Sequence, residues 1–286
     1  MLGGASIAVI GTAAGLVAFT GLTYAYLTSW SNAGWLEPVE PVSKVAIVMC
    51  AFNEENWMDK TMESLENQNI VQQYPQLFEF ILVDNESTDG TAKIAKSRGW
   101  TVVSAKRGKL YARDAGIRAT DADIIVSVDA DSYYPPNCLN LLLEPFKDPQ
   151  VVGATGSCVY VGDKLGWRGT IAAPWLMLTE HYRYKMLKGN ISAIRRDAYF
   201  ASGGFDLTIN QHDSNALWKE EEWDYPKRLT QVGKIAHVFR ASIYTSDRRF
   251  FCSEAGTLRR QCEQGRCPLA PRNWQYCQEQ MDKQRF

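Results

Sequence analysis

The sequence predicts an α/β protein: a Rossmann-like sandwich with a mostly parallel central sheet, preceded by one N-terminal transmembrane helix. Three features carry that expectation. No side chain from Met1 to Leu36 is charged. From Lys44 to Asp131, short apolar runs alternate with stretches of helical spacing, the pattern of parallel strands joined by helices. Acidic and amide side chains gather where those runs stop.

The 286 residues carry 31 basic and 32 acidic side chains, a formal net charge of −1. With no basic excess to drive counterion release, no nucleic-acid partner is expected. Ala5 to Trp30 is apolar or small throughout, and a bilayer core needs about 20 such residues as a helix. Tyr24, Tyr26 and Trp30 cluster at its far end, where amphipathic rings favour the headgroup level. Gly11 and Gly15 have the spacing that lets membrane helices approach closely. A cleaved signal peptide usually begins with basic residues, and this segment has none. Residues 1–36 are therefore expected to be a single-pass membrane anchor and 37–43 a stiff proline-rich linker. Flanking Lys and Arg, which set orientation, are almost absent, Lys44 being the first.

Beyond the linker each element has a local reason. Lys44–Met49 is a short β-branched run suited to a strand buried on both faces. Met58, Met62 and Leu65 recur at helical spacing after Asn53, an expected N-cap with Glu54 and Glu55 in the first turn. Phe78–Val83 is a second strand, Thr91–Arg98 a helix closed by Gly99, and Trp100–Ser104 a third strand. Leu110–Ala119 reads as a helix and Ile124–Val128 as a fourth strand.

Ligands of open parallel sheets bind at the carboxyl ends of the strands. Here the first run ends in Ala51-Phe52-Asn53-Glu54, the second at Asp84, and the fourth at Asp129-Ala130-Asp131. A similar tripeptide, Asp121-Ala122-Asp123, precedes the fourth run and belongs to a solvated loop entering it. Paired carboxylates at a ligand-binding end repel unless a cation neutralises them, and a hard divalent metal sharing its shell with phosphate oxygens suits them. The alternative is a turn or capping role.

Six stretches in this order resemble glycosyltransferase family 2, inverting enzymes of the GT-A nucleotide-sugar fold. They are VAIVMCAFNEE (45–55), ILVDNESTDGT (81–91), KRGKLYARDAGI (106–117), IIVSVDADS (124–132), GNISAIRRDAYFASGGFD (189–206) and EEEWDYPKRLTQVG (220–233). The resemblance implies a catalytic domain over residues 44–250 and a cysteine-containing extension over 251–286. Two departures are Cys50, where proline is common, and Glu222, where aspartate is more frequent.

By the same resemblance, Ala51 and Phe52 line the base pocket, Glu54 shapes the nucleotide site, and Asp84 accepts the imide N–H of a pyrimidine. That favours a UDP-sugar donor. Lys109, with Arg113, approaches the diphosphate. Asp129 and Ala130 contact the donor, and Asp131 ligates Mn2+ or Mg2+. Gly203, Gly204 and Phe205 form a floor for donor sugar and acceptor, and Glu222 is the catalytic base, with Glu221 the alternative. Arg248 and Arg249 fold over the diphosphate or are a surface pair. From the residues alone, Asp84 and Asp89 equally fit helix caps. Lys109 equally fits a solvated helix end, Gly203-Gly204 a turn, and Glu220–Glu222 an exposed acidic run. Trp218, Trp223 and Tyr225 flank that run, and an apolar setting favours a base of raised pKa.

The implied reaction is a metal-assisted single displacement of a nucleoside diphosphate by an acceptor hydroxyl of a lipid or glycan. Rival readings are a processive polysaccharide synthase, a nucleotidyltransferase and an inactive donor-binding module. His181, His212 and His237 lack ligand spacing, and His237 is a distant candidate for a third metal contact. Seven cysteines, four of them in the last 35 residues, form no disulfide framework; a zinc site there is the alternative use. Unpaired thiols and a cytosolic donor supply point towards the cytosolic face of the membrane.

Overall fold

A computed structural model describes residues 44–161, 186–210 and 213–246. The expected anchor, linker and C-terminal extension, with His181, His212, Arg248 and Arg249, lie outside the described residues. Among those described, no helix is long and apolar enough to cross a membrane.

The chain opens with β1 (Val45–Ala51), α1 (Met58–Glu66) and the short α2 (Asn69–Gln73), then β2 (Phe78–Asp84) and α3 (Thr91–Ser97). Next come β3 (Thr101–Ser104), α4 (Lys109–Arg118), β4 (Ile124–Asp129), the two-residue β5 (Ser132–Tyr133) and α5 (Cys138–Leu143). The second half contributes β6 (Val151–Val161), β7 (Ile191–Arg195), α6 (Arg196–Ala201), α7 (Ser214–Lys219), a π-helical segment (Glu220–Asp224), α8 (Tyr225–Leu229) and β8 (Lys234–Ser246). The strands form one eight-stranded sheet in the order β3-β2-β1-β4-β7-β6-β8-β5. Strands β1 to β4 run parallel, β7 is antiparallel to both neighbours, and β8 runs parallel to β6.

The alternation along β1 explains the layering. Val45, Ile47 and Met49 face Met58, Met62 and Leu65 of α1, while Ala46 and Val48 face Ala112 and Ile117 of α4. Burying one such side chain is worth about 1.5–3 kcal/mol, so both faces of this strand are strongly specified. Gly116 lets α4 lie close against the sheet, since a Cβ there would meet Val48 and Val83.

The predicted strands and helices of the first half appear within a residue or two of their expected limits. One local expectation is corrected. Asn53 does not cap α1, which starts at Met58 after Trp57, and Glu54 and Glu55 precede the helix. Asn53 instead adopts φ 53°, a left-handed conformation that asparagine tolerates better than most residues. From there its N–H donates to Ser87 Oγ at 3.0 Å and its Oδ1 accepts the Thr88 N–H at 2.8 Å. The tertiary staple between two loops outcompetes the local cap.

Candidate functional site

The parallel strands deliver their carboxyl ends to one edge. In register, Asp129 lies beside Cys50, Ala51 beside Asp84, and Asp84 beside Ser104. Asp84 and Asp129 therefore flank β1 at the same end of the sheet, two strand spacings or roughly 10 Å apart. Asp131 follows in the turn that leads to β5.

The loops at this edge are tied to one another. Asp84 Oδ1 accepts the Ser87 N–H at 3.1 Å, closing its own turn. Asp89 Oδ1 accepts the Thr91 N–H at 3.0 Å at the start of α3, so of the two aspartates Asp89 is the one bound to a helix start. Thr91 Oγ1 accepts the N–H of buried Glu54 at 2.9 Å, and Glu55 Oε2 accepts the Gly90 N–H at 2.6 Å. Phe52 carries the Arg107 guanidinium over its ring, 3.0 Å from the centroid. Such a contact is worth about 0.5–1 kcal/mol where solvent reaches it.

The Asp129-Ala130-Asp131 turn has a buried scaffold that sequence reasoning missed. The Tyr134 hydroxyl accepts the Asp129 N–H at 3.1 Å and donates to the Asn190 carbonyl at 2.8 Å. Thr61 Oγ1 donates to the Ala130 carbonyl at 2.9 Å, and Gln68 Nε2 donates to the carbonyls of Tyr134 and Pro135. Burial keeps the Tyr134 phenol protonated by raising its pKa well above the usual value, so it stays a donor. Apart from Tyr134 and Pro135, the partners Thr61, Gln68 and Asn190 lie far from the turn in sequence, so only the fold reveals the set.

A second buried feature joins α4 to the π-helical segment. Arg113, 2% exposed, places Nη2 3.0 Å from Asp129 Oδ1 and pairs through Nε with Glu221. Lys109 Nζ lies 2.6 Å from the other Glu221 oxygen. Two cations and two carboxylates thus balance in one cluster. Burial acts against the Lys109 ammonium, but Glu221, with Asp129, outweighs it and its pKa is raised. Burial also pushes the neighbouring Cys50 thiol up to about 11, so it is a neutral thiol at physiological pH. Gly189 lies against this cluster, where a Cβ would collide with Glu221 and Arg113. That glycine opens the 189–206 stretch, but nothing local assigns it this close approach.

The three consecutive glutamates diverge. Glu220 pairs with Arg228 at 2.5 Å and accepts the Asp206 N–H at 2.7 Å. Glu221 turns to Lys109 and Arg113, while Glu222 is half-buried. Glu220 and Glu221 are buried, so the run is not an exposed acidic face. The π-helical turn accommodates this spread, because an inserted residue rotates successive side chains apart, a distortion frequent at functional sites. Arg228 Nη2 also donates to the Gly204 carbonyl at 2.7 Å. Gly204 has φ 63°, and a Cβ there would press on the Tyr199 ring. Tyr199, Phe205 and Tyr225 stack into an aromatic cluster with centroids 4.6–5.6 Å apart beneath this turn.

Comparison with known proteins fits this geometry. The family described as Glycosyl transferase family 2 matches residues 46–202, more than half of the chain. The chain is 33% identical over 125 residues to the hyaluronan synthase of Streptococcus pyogenes, a match covering 40% of this chain and 29% of that one. It is 29% identical over 106 residues to the undecaprenyl-phosphate 4-deoxy-4-formamido-L-arabinose transferase of Serratia proteamaculans, covering 34% and 32%. The chain thus matches about a third of each relative's length. Among solved structures, it is similar to a mannosyltransferase from Pyrobaculum calidifontis in complex with GDP-Man and Mn2+, with a TM-score of 0.53 and 16% identity over 80% of this chain and 66% of that one. It is also similar to glucosyl-3-phosphoglycerate synthase from Mycobacterium tuberculosis in complex with Mn2+, UDP-glucose and phosphoglyceric acid, with a TM-score of 0.50 and 22% identity over 70% of each chain. These two likenesses bear out the GT-A fold.

Proposed function

The chain belongs to glycosyl transferase family 2, and we propose that it moves a sugar from a UDP-sugar donor to an acceptor hydroxyl in a single inverting displacement. The observation that carries this reading is the shared edge, where Asp84 ends β2 and Asp129 ends β4 on either side of β1, with Asp131 in the following turn, beside the cluster of Lys109, Arg113 and Glu221. Asp84 receives the imide N–H of the uracil, between Ala51 and the Phe52 ring. Lys109, on the exposed side of the cluster, is the cation that reaches the diphosphate. Arg113 is buried and acts through its neighbours, orienting Asp129 and Glu221.

The donor set suits a hard divalent ion, Mn2+ or Mg2+, held by the Asp131 carboxylate. Among the described residues no group of three or more His, Cys, Asp or Glu side chains forms a cage by itself. Bound at Asp131 beside the donor phosphates, such an ion would supply charge neutralisation for the departing diphosphate. By the family resemblance Glu222, half-buried on the π-helical segment, is assigned as the base that takes the acceptor's proton. Gly203 to Phe205, braced by Arg228 and the aromatic cluster, floor the sugar and acceptor. The relatives' names, a polysaccharide synthase and an undecaprenyl-phosphate sugar transferase, support a glycan or lipid acceptor, and the apolar N-terminal stretch supports a membrane location.

Calorimetric titration of the full chain with a panel of nucleotide sugars tests the donor, and UDP-sugars are expected to bind best in Mn2+ or Mg2+. Affinity that is unchanged after EDTA removes the metal role. Glu222→Gln is expected to lower the transfer rate by about 10²–10⁴-fold with donor binding kept. Transfer that survives this change but is lost in Glu221→Gln moves the base by one residue.

A further inference from the structure

We propose that Arg107 is a nucleobase-binding residue: its guanidinium and the Phe52 ring are two jaws that close on opposite faces of the donor's pyrimidine at Asp84. This deepens the reading above and rests on it. The argument is topological first. Phe52 follows β1 and Arg107 follows β3, and β2 lies between these strands. A guanidinium 3.0 Å from the Phe52 ring centroid therefore spans the tip of β2, where Asp84 stands. A flat base whose edge meets Asp84 has to share that space with the pair.

The backbones of both jaws are tied to the Asp84 strand end. The Ala105 N–H donates to the Asp84 carbonyl at 2.9 Å, the Gly108 N–H to Asn85 Oδ1 at 3.0 Å, and the Asn85 N–H to the Ala51 carbonyl at 3.0 Å. Gly108 has φ 141°, which L side chains rarely adopt, so the path of the Arg107 loop depends on that glycine. The side chains are what can part. Arg107 is half-buried and has no ion-pair partner among the described residues, whereas neighbouring Lys106 is turned onto Tyr111, 3.9 Å from its ring centroid. A planar, weakly hydrated guanidinium stacks on an aromatic base as readily as on Phe52, so its contact is exchanged rather than lost when the base enters.

The test is titration of the full chain, wild type and variants, with UDP and separately with inorganic pyrophosphate. Arg107→Ala and Arg107→Lys are each expected to weaken UDP binding about tenfold or more while changing pyrophosphate binding less than about twofold, because lysine keeps the charge but not the plane. Phe52→Leu should reproduce the selective loss, and unchanged thermal midpoints keep the comparison on binding. Wild-type UDP affinity in Arg107→Ala overturns the proposal. So does full rescue by Arg107→Lys, or an equal loss for pyrophosphate, either of which assigns Arg107 to the diphosphate. If the wild type binds neither UDP nor any other nucleoside diphosphate, the functional reading itself fails.

Discussion

Strand β4 carries the same tripeptide at both ends, and the two copies meet opposite fates. Asp121-Ala122-Asp123 enters the strand: the Asp121 side chain is fully exposed, 3.7 Å from Arg196, and Asp123 Oδ2 accepts the Lys44 N–H at 3.2 Å. Asp129-Ala130-Asp131 leaves it: Asp129 meets a buried arginine, and Tyr134 and Thr61 hold the turn from beneath. Composition is identical, so the difference comes from direction. The entering end is solvated, whereas the leaving end joins the tips of β1, β2 and β3 and faces helices that supply Lys109, Arg113 and Glu221.

The largest expected contrast is in activity. Asp131→Asn should lower sugar transfer by about 100-fold or more through lost charge stabilisation, while Asp121→Asn leaves the rate within about twofold and stability within about 0.5 kcal/mol. Equal effects at the two ends break the comparison. The next contrast is in stability, read from urea unfolding. Arg113→Met leaves Glu221 and Asp129 with Lys109 as the one remaining cation of their cluster and should cost about 3 kcal/mol, whereas Arg196→Ala, beside an exposed aspartate, should cost about 1 kcal/mol or less. The smallest effect is in pH. Because the Lys109 pKa is raised on folding, its contribution is complete below the unfolded value near about 10.4 and is lost as pH climbs through the raised one. The urea midpoint of wild type should fall over that alkaline range, and Lys109→Met should fall less.

Much of the sheet was legible because β-branched runs and helical spacing are local properties. β1 through β4 and the helices between them follow directly from side-chain periodicity, and their short connections force the parallel order. The Asp84 and Asp129 edge was legible for the same reason. Asn53 was misassigned as a cap, since its partners Ser87 and Thr88 lie more than thirty residues away. The run Glu220–Glu222 offered no local sign of which carboxylate faces which cation, because the π-helical turn breaks the periodicity that would have assigned it. Gln68 and Thr61 lie in no motif, and Arg107 and Gly189, though inside quoted stretches, carry no local sign of what they touch.

What the amino-acid order determined alone is the alternation of strand and helix and the placing of acids at strand ends, since hydrophobic period and loop length act over a few residues. What only tertiary packing decided is the pairing of charges. Arg113 and Lys109 lie on one helix, Asp129 on a strand, and Glu221 more than ninety residues further on. Their burial together is favourable only when all the partners arrive, because a buried charge left single costs more than any local preference can offset.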